Sequence, residues 1–188
     1  GRGLSVFLDL KLHDIPNTVR SASRVLASLG ADMLTIHAGG GPAMVAAARA
    51  GLDEGAAQAG LAAPRLLAVT VLTSMDADQL AAVGIERSAA AQADLLARMA
   101  VANGADGVVC SPLEAAAMRA ALGPDALIVT PGVRPAGTAT GDQSRVATPG
   151  DAIRAGATHL VVGRPITRAT DPLRALRDVE EEVRQAMA

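Results

Sequence analysis

The chain has 188 residues, of which 50% are hydrophobic, and its formal net charge is -2 at pH 7. This composition suits one soluble domain, and the mixed signs of its charges argue against a nucleic-acid binder or a polybasic membrane binder. A single cysteine, Cys110, excludes an internal disulfide and a cysteine-based zinc site. No apolar stretch approaches the ~18 residues of a membrane span, and no signal-peptide pattern occurs, so we predict a cytoplasmic protein.

The first predicted strand ends in ionisable groups. Asp9 and Lys11 are two residues apart, so an extended strand places both side chains on one face. Leu8, Leu10 and Leu12 are then expected to fill the opposite face. A structural ion pair is the alternative, but desolvation offsets much of the Coulomb attraction of a buried pair. We therefore favour a functional role for the two charges.

A turn over residues 13–18, with the sequence His-Asp-Ile-Pro-Asn-Thr, follows this strand. Pro16 bars regular strand pairing, and Asn17 or Thr18 is predicted to cap the helix that follows. Asp14 is either a plain turn residue or a third member of the charged cluster.

Short apolar strands and helices alternate along the whole chain. The predicted strands cover residues 4–10, 33–37, 66–72, 107–110, 127–129 and 159–162. The predicted helices cover residues 18–29, 43–58 with interruptions at Gly51 and Gly55, 89–102, 112–122, 152–155 and 172–187. Such short, continuously apolar strands are typical of a parallel sheet covered by helices, which gives six βα units.

Two architectures are compatible with six βα units in one domain. A doubly wound open sheet could use six strands, but no Gly-x-Gly-x-x-Gly follows the first strand. A (β/α)8 barrel needs eight units and typically ~250 residues, and its active site lies at the C-terminal ends of the strands. Because the polar residues of this chain cluster at strand ends, we predict an incomplete TIM barrel with six of the eight βα units.

Gly163 and Arg164 follow the last predicted strand. In barrels, phosphate binds after the seventh and eighth strands, where glycine exposes backbone N–H groups and arginine supplies a planar cation. The long loop over residues 130–149 adds Arg134 and Gln143 as further donors. A strand end with a capping arginine is the alternative, but the position opposite the Asp/Lys cluster predicts a phosphorylated substrate.

The histidines are weaker candidates for function. His13 and His37 each lie near a strand end, where a satisfied lip or core histidine is more common than a catalytic one, and His159 begins a strand at the face away from the site. Because no His/carboxylate spacing typical of a metal site occurs, we predict no metal.

Five motifs occur in a fixed order along the chain. They are Phe7-Leu-Asp-Leu-Lys-Leu-His-Asp-Ile-Pro-Asn-Thr18, Val69-Thr-Val-Leu-Thr-Ser74, Thr130-Pro-Gly-Val-Arg-Pro135, Gly141-Asp-Gln143 and Val162-Gly-Arg-Pro165. Together they resemble bacterial orotidine 5′-phosphate decarboxylases over essentially the whole chain. The resemblance implies a cofactor-free homodimer that decarboxylates orotidine 5′-monophosphate to UMP, the last step of de novo pyrimidine nucleotide biosynthesis.

The resemblance also implies a role for each matching residue. Lys11 resembles the lysine that protonates ring carbon 6 of the pyrimidine as CO2 leaves, and Asp9 resembles the carboxylate held against the substrate carboxylate. Asp14 and Thr18 would reach the neighbouring site of the homodimer. The residues that match contacts near the pyrimidine or around the phosphate are Thr73, Ser74, Arg134, Gln143, Gly163 and Arg164.

The match leaves two alternatives open. The family has two further strands before the Asp-x-Lys-x-x-Asp strand, with an Asp that binds the ribose and a Lys of the charge network, and neither is present here. We therefore expect an N-terminally truncated copy: residues 1–188 form a single domain with strands 3–8 of the barrel, lacking the first two βα units. The alternatives are a Mg²⁺-dependent sugar-phosphate decarboxylase or synthase of the same superfamily and a non-catalytic phosphate-binding remnant.

Overall fold

The computed structural model describes residues 3–135 and 147–188. It divides into two compact units: unit 1 contains Gly1–Thr70 and Leu95–Val108, and unit 2 contains Val71–Asp94 and Val109–Ala188. Six strands occur in the described part, and their order in the sheet is their order along the chain. A helix follows each strand, so the six predicted βα units are confirmed.

The strands are β1 (Phe7–Leu12), β2 (Met33–His37), β3 (Arg65–Val69), β4 (Gly107–Val109), β5 (Leu127–Pro131) and β6 (His159–Val161). The helices are α1 (Pro16–Ala27), α2 (Gly41–Ala59), α3 (Ala77–Ala82), α4 (Ala89–Ala102), α5 (Ala115–Leu122), α6 (Pro149–Arg154), α7 (Arg164–Thr167) and α8 (Pro172–Met187). The predicted bounds of α4 and α8 are confirmed, whereas α3 and α7 were not predicted from the sequence. None of the helices in the described ranges is long and apolar enough to cross a membrane.

The first βα unit differs from its sequence prediction at both boundaries. β1 runs over Phe7–Leu12 rather than residues 4–10, and Leu4 is 80% exposed. α1 begins at Pro16 with Ile15 at the N-cap, so the prediction of a cap at Asn17 or Thr18 is wrong. Proline is favoured at the first helical position because the first N–H groups of a helix have no intrahelical partner.

Proline also moves the start of α6. That helix begins at Pro149 rather than at residue 152, and the hydroxyl of Thr148 caps it by accepting the N–H of Asp151 at 3.1 Å. Two strand ends also differ from their predictions: β3 ends at Val69 rather than at residue 72, while β5 continues to Pro131 instead of ending at residue 129.

The helices α1 and α2 of unit 1 approach each other closely at two glycines. A Cβ atom added at Gly55 would overlap the carbonyl oxygen of Arg24 and lie 2.9 Å from its Cα, and one added at Gly51 would overlap the carbonyl oxygen of Arg20. The prediction that these glycines interrupt the helix is wrong, because α2 is continuous over Gly41–Ala59. They are packing residues, since any side chain there would push α1 away.

Strand alternation divides unit 1 between a helix-covered face and an opposite face. The buried strand residues that pack with α1 and α2 are Leu34, Ile36, Leu66 and Ala68. Thr35 lies between the first two on β2, so its side chain points to the opposite face of the sheet. That face carries the charged end of β1, to which Thr35 is hydrogen-bonded.

In unit 2, β5 and β6 form a parallel pair that ends with Pro131 opposite Val161. Beside this pair, Val133, Ala152 and Ala157 are buried together with the partly buried Leu160 and Val162. The chain segments that follow β5 and β6 therefore begin at the same edge of unit 2.

Candidate active site

The charged end of β1 contains an irregularity that residue spacing did not predict. β1 pairs with β2 at Leu8 and again at Leu12, but the partner residues on β2 are only two apart. Three residues of β1, from Asp9 to Lys11, therefore lie opposite one residue of β2, Thr35. Bulges of this kind re-aim side chains and are common beside active sites.

The bulge changes the backbone and the exposure of its residues. Lys11 has a φ of 52° and is the only non-glycine residue with positive φ in the described ranges. For a residue with a Cβ atom, this left-handed conformation costs about 1–2 kcal/mol. The prediction that Leu10 shares a buried face with Leu8 and Leu12 is wrong: Leu10 is 51% exposed, while the other two pack on the core.

Asp9 and Lys11 form a direct ion pair that Thr35 supports. Lys11 Nζ donates to Asp9 Oδ2 at 2.6 Å, with side-chain exposures of 37% and 47% for Lys11 and Asp9 respectively. The hydroxyl of Thr35 donates to Asp9 Oδ1 at 3.0 Å and accepts the backbone N–H of Lys11 at 2.9 Å. A pair this exposed contributes little to stability, so its fixed geometry favours the functional interpretation.

His37 interacts electrostatically with this pair, and His13 lies beside His37. The rings of His13 and His37 lie 5.5 Å apart at an interplanar angle of 38°. Burial lowers the pKa of His37, as do the neighbouring His13 and Lys11, while Asp9 opposes them. His37 is therefore neutral at neutral pH and adds no second positive charge beside Lys11.

Asp14 and Thr18 lie on the surface of unit 1. Asp14 is in the turn after β1, where its Oδ1 accepts the backbone N–H of Ile15 at 2.7 Å, and Thr18 is in the first turn of α1. Both are exposed, and Ile15 between them is 66% exposed. The structure thus presents these residues outward along one short segment.

Thr73 and Ser74 lie in unit 2, in a turn beyond the end of β3. In this turn, the backbone N–H of Met75 donates to the carbonyl oxygen of Leu72 at 3.0 Å. Thr73 is buried and Ser74 is exposed, so the two adjacent hydroxyls differ in their access to solvent.

Arg134 and Arg164 follow two strands that end at the same edge of unit 2. Each lies three residues beyond the last paired residues of β5 and β6, which are Pro131 and Val161. Arg134 is half-buried and its Nη1 donates to the carbonyl oxygen of Val133 at 2.9 Å, whereas Arg164 is exposed at the start of α7. The predicted pair of arginines therefore shares one edge of the unit.

Gly163 precedes Arg164 and leaves open space beside the backbone. A Cβ atom added there would meet no atom within 4 Å. Packing therefore does not explain a glycine at this position. A glycine at this position leaves room for a ligand close to the backbone.

Gln143, with Gly141 and Asp142 before it, lies outside the described residues. Within residues 3–135 and 147–188, no group of three or more His, Cys, Asp or Glu side chains is arranged to hold a metal ion.

Thr35 was not among the residues predicted from the sequence. The available signal was a single hydroxyl residue inside the apolar strand Met33–His37. Its partners are 24 and 26 residues away in the chain, so spacing alone could not connect them.

The chain is similar to known proteins of one family. A family model described as "Orotidine 5'-phosphate decarboxylase / HUMPS family" matches residues 1–179. The orotidine 5′-phosphate decarboxylase of Anaeromyxobacter sp. (strain K) is 57% identical over 177 residues, which are 94% of this chain and 74% of the relative. That of Moorella thermoacetica is 55% identical over 183 residues, 97% of this chain and 73% of the relative.

A solved structure shows the same fold. The crystal structure of orotidine 5′-phosphate decarboxylase from Lactobacillus acidophilus superposes with a TM-score of 0.84 at 45% identity, covering 96% of this chain and 76% of that chain. Together with the six βα units in chain order, this likeness confirms the predicted incomplete barrel.

Proposed function

This chain belongs to the orotidine 5′-phosphate decarboxylase / HUMPS family, and from that premise we propose that it decarboxylates orotidine 5′-monophosphate to UMP. The relatives at 57% and 55% identity carry that activity in their names, which favours it over the Mg²⁺-dependent sugar-phosphate reaction. The observation that carries the proposal is the Asp9–Lys11 ion pair, held at an open strand end by a buried hydroxyl.

Lys11 is the proposed proton donor. Loss of CO2 leaves negative charge developing at a ring carbon with no cofactor to delocalise it, so a fixed ammonium group stabilises the transition state and then protonates the carbon. Lys11 is the only lysine of the chain. Asp9 holds its Nζ at 2.6 Å and so fixes where the proton is delivered.

Asp9 has a second proposed role toward the substrate carboxylate. Two carboxylates held close together repel each other, and the repulsion disappears as the substrate carboxylate leaves as CO2. An interaction that is unfavourable in the ground state and relieved in the transition state accelerates the chemical step. The hydrogen bond from Thr35 keeps the Asp9 carboxylate in place against this repulsion.

The residues of unit 2 are proposed to bind the rest of the substrate. Gly163, Arg164 and Arg134 suit a phosphate group, because arginine is a planar cation and the space beside Gly163 leaves its backbone accessible. We assign Gln143 to the same group and Thr73 and Ser74 to the pyrimidine, following the family motifs. Contacts far from the reacting carbon supply binding energy that can be used to position it.

We further propose a homodimer in which Asp14 and Thr18 reach the neighbouring site. Their exposure on either side of the apolar Ile15, itself 66% exposed, supports a contact with a second copy of the chain. In a two-fold symmetric dimer the same segment serves both sites.

The remaining proposals concern the chain as a whole. We treat residues 1–188 as one domain, because one family model matches residues 1–179. We place the reaction in the cytoplasm, on the basis of its role in nucleotide biosynthesis, and expect it to need neither a metal nor a cofactor.

The test is loss of orotidylate absorbance in excess chelator. The chain is assayed as it stands and as a chimera in which the N-terminal segment of the Anaeromyxobacter relative precedes Gly1, since the resemblance implies two further βα units there. We expect turnover that Lys11→Ala lowers by at least about 10³-fold, because it removes both the charge and the proton donor. Turnover abolished by chelator, or unchanged in Lys11→Ala, contradicts the proposal.

The dimer is tested with hybrids of two inactive variants. If Asp14 serves the neighbouring site, a hybrid of Lys11→Ala and Asp14→Ala chains contains one site with both residues intact. Random mixing then restores about a quarter of the original activity, because half of the dimers are hybrids with one working site each. No recovery on mixing means that Asp14 acts within its own chain or not at all.

A further inference from the structure

We propose that Thr35 is a positioning residue whose hydroxyl holds Asp9 and Lys11 in the geometry that proton delivery needs. Its effect on catalysis rests on the proposed function. The contacts on which it depends all lie within unit 1, so positioning itself can be measured without turnover.

Thr35 occupies the place where the bulge breaks the strand ladder. Three residues of β1 lie opposite it, and Lys11 adopts the left-handed backbone conformation there. The backbone N–H of Lys11 donates to Thr35 Oγ1 at 2.9 Å. A side-chain oxygen thus takes the position of a ladder carbonyl and satisfies the N–H of the strained residue.

The same hydroxyl orients the carboxylate. An amide N–H can only donate and an ionised carboxylate can only accept, so Thr35 Oγ1 accepts from Lys11 and gives its own proton to Asp9 Oδ1, at 3.0 Å. The other oxygen, Asp9 Oδ2, is left for Lys11 Nζ at 2.6 Å. The contacts form a closed loop from the backbone of Lys11 through Thr35 and Asp9 to the side chain of Lys11.

Burial makes Thr35 a rigid anchor for this loop. Thr35 is 0% exposed, and a β-branched side chain has few rotamers on a strand. Asp9 and Lys11, by contrast, are exposed by 47% and 37%. Without the hydroxyl, the N–H of Lys11 loses its partner and Asp9 Oδ1 can turn to water, so the ammonium group is no longer held in one position.

The first test reads the position of Lys11 directly. Reductive methylation with isotope-labelled formaldehyde labels the side chain of the only lysine, and the N-terminal amine gives a second, separate signal. In the original chain we expect the contact with Asp9 to shift the NMR signal of the Lys11 methyl groups away from that of free dimethyl-lysine. Thr35→Val is expected to remove at least half of this displacement, and Thr35→Ser to keep it.

Ser23→Ala is the matched control. Ser23 is also a fully buried hydroxyl residue of unit 1, but its Oγ has no hydrogen-bond partner in the described structure. This variant removes a buried hydroxyl without touching the charged pair, so the Lys11 signal should stay in place. If Thr35→Val does not fold, Thr35→Ala is used instead, because it removes the same hydroxyl without an added methyl group.

The second test measures kinetics in whichever protein, chain or chimera, turns over substrate. A misplacement of about 1 Å can cost 10²-fold in rate, so Thr35→Val should lower kcat by about 10- to 100-fold with little change in KM. Thr35→Ser should restore kcat to within about threefold. Thermal unfolding of each variant separates this effect from a loss of folded protein.

Each outcome decides the proposal. Loss of at least half of the displacement in Thr35→Val, with the displacement kept in Thr35→Ser, supports it, and the kcat loss extends it to catalysis. An unmoved signal in Thr35→Val, the same loss in Ser23→Ala, or no recovery with serine overturns it. A chimera that folds but gives no turnover counts against the proposed function, while the methyl signal still decides whether Thr35 positions Lys11.

Discussion

Units 1 and 2 both carry polar residues on strands or just beyond them, but they hold these residues in different ways. In unit 1, Asp9, Lys11 and Thr35 bond to one another, so their arrangement exists without a ligand. In unit 2, Arg164 and Gly163 are exposed, with open space beside the glycine. The groups proposed for the chemical step are therefore preorganised, whereas Gly163 and Arg164, which are proposed for the phosphate, are exposed to solvent.

The difference follows from what each group has to do. Electrostatic stabilisation of a transition state is largest when the charged group needs no rearrangement during the reaction. A phosphate, in contrast, arrives from solvent and must displace water from the groups that bind it. Unit 1 holds its ammonium group on a strained backbone at Lys11, whereas open space lies beside the backbone of Gly163 in unit 2.

The largest effect that separates the two regions is a split between KM and kcat. Arg164→Ala should raise KM by about 10- to 100-fold, because a hydrogen bond between charged groups contributes about 1.5–3 kcal/mol. Lys11→Ala acts on kcat instead. Steady-state kinetics measure both, and Arg168→Ala, which removes an exposed arginine four residues further on, is the control. Equal increases in KM for Arg164→Ala and Arg168→Ala would contradict a specific role of Arg164 in phosphate binding.

Two glycine substitutions should differ in the property they change. Gly55→Ala forces a Cβ atom against the backbone of α1, and overpacking of this kind costs about 1–3 kcal/mol of unfolding free energy. The Cβ atom of Gly163→Ala meets only open space, so this variant should lose less unfolding free energy than Gly55→Ala while its KM rises. Denaturant midpoints and kinetics are measured on both variants. A Gly163→Ala variant destabilised as much as Gly55→Ala would show that this glycine is structural.

The smallest effect concerns pH and the charged end of unit 1. Because folding lowers the pKa of His37, the unfolded chain takes up its proton more readily, and stability is lost as pH falls below about 6.5. His37→Asn should remove this part of the pH dependence, measured as unfolding free energy against pH. His159→Asn, at an exposed histidine, is the control. If the unfolding free energy of His37→Asn depends on pH as steeply as that of the original chain, folding does not lower the pKa of His37.

Local patterns in the sequence determined the βα alternation, the charged end of the first strand and the Gly-Arg after the last one. Each depends on residues a few positions apart, and the periods of helices and strands report such relations directly. The bounds of α4 and α8 were predicted for the same reason. Where Pro16 and Pro149 open helices, the signal was also local but was assigned to the wrong position.

Only the tertiary structure decided the bulge in β1, the exposure of Leu10 and the contacts of Thr35. All three depend on the register between β1 and β2, whose paired residues are 24–26 positions apart in the chain. The packing role of Gly55 likewise depends on an approach by the backbone of Arg24. A sequence records which residues can form strands and helices, but a bulge or a close approach exists only when two distant segments meet, because its energy belongs to the pair.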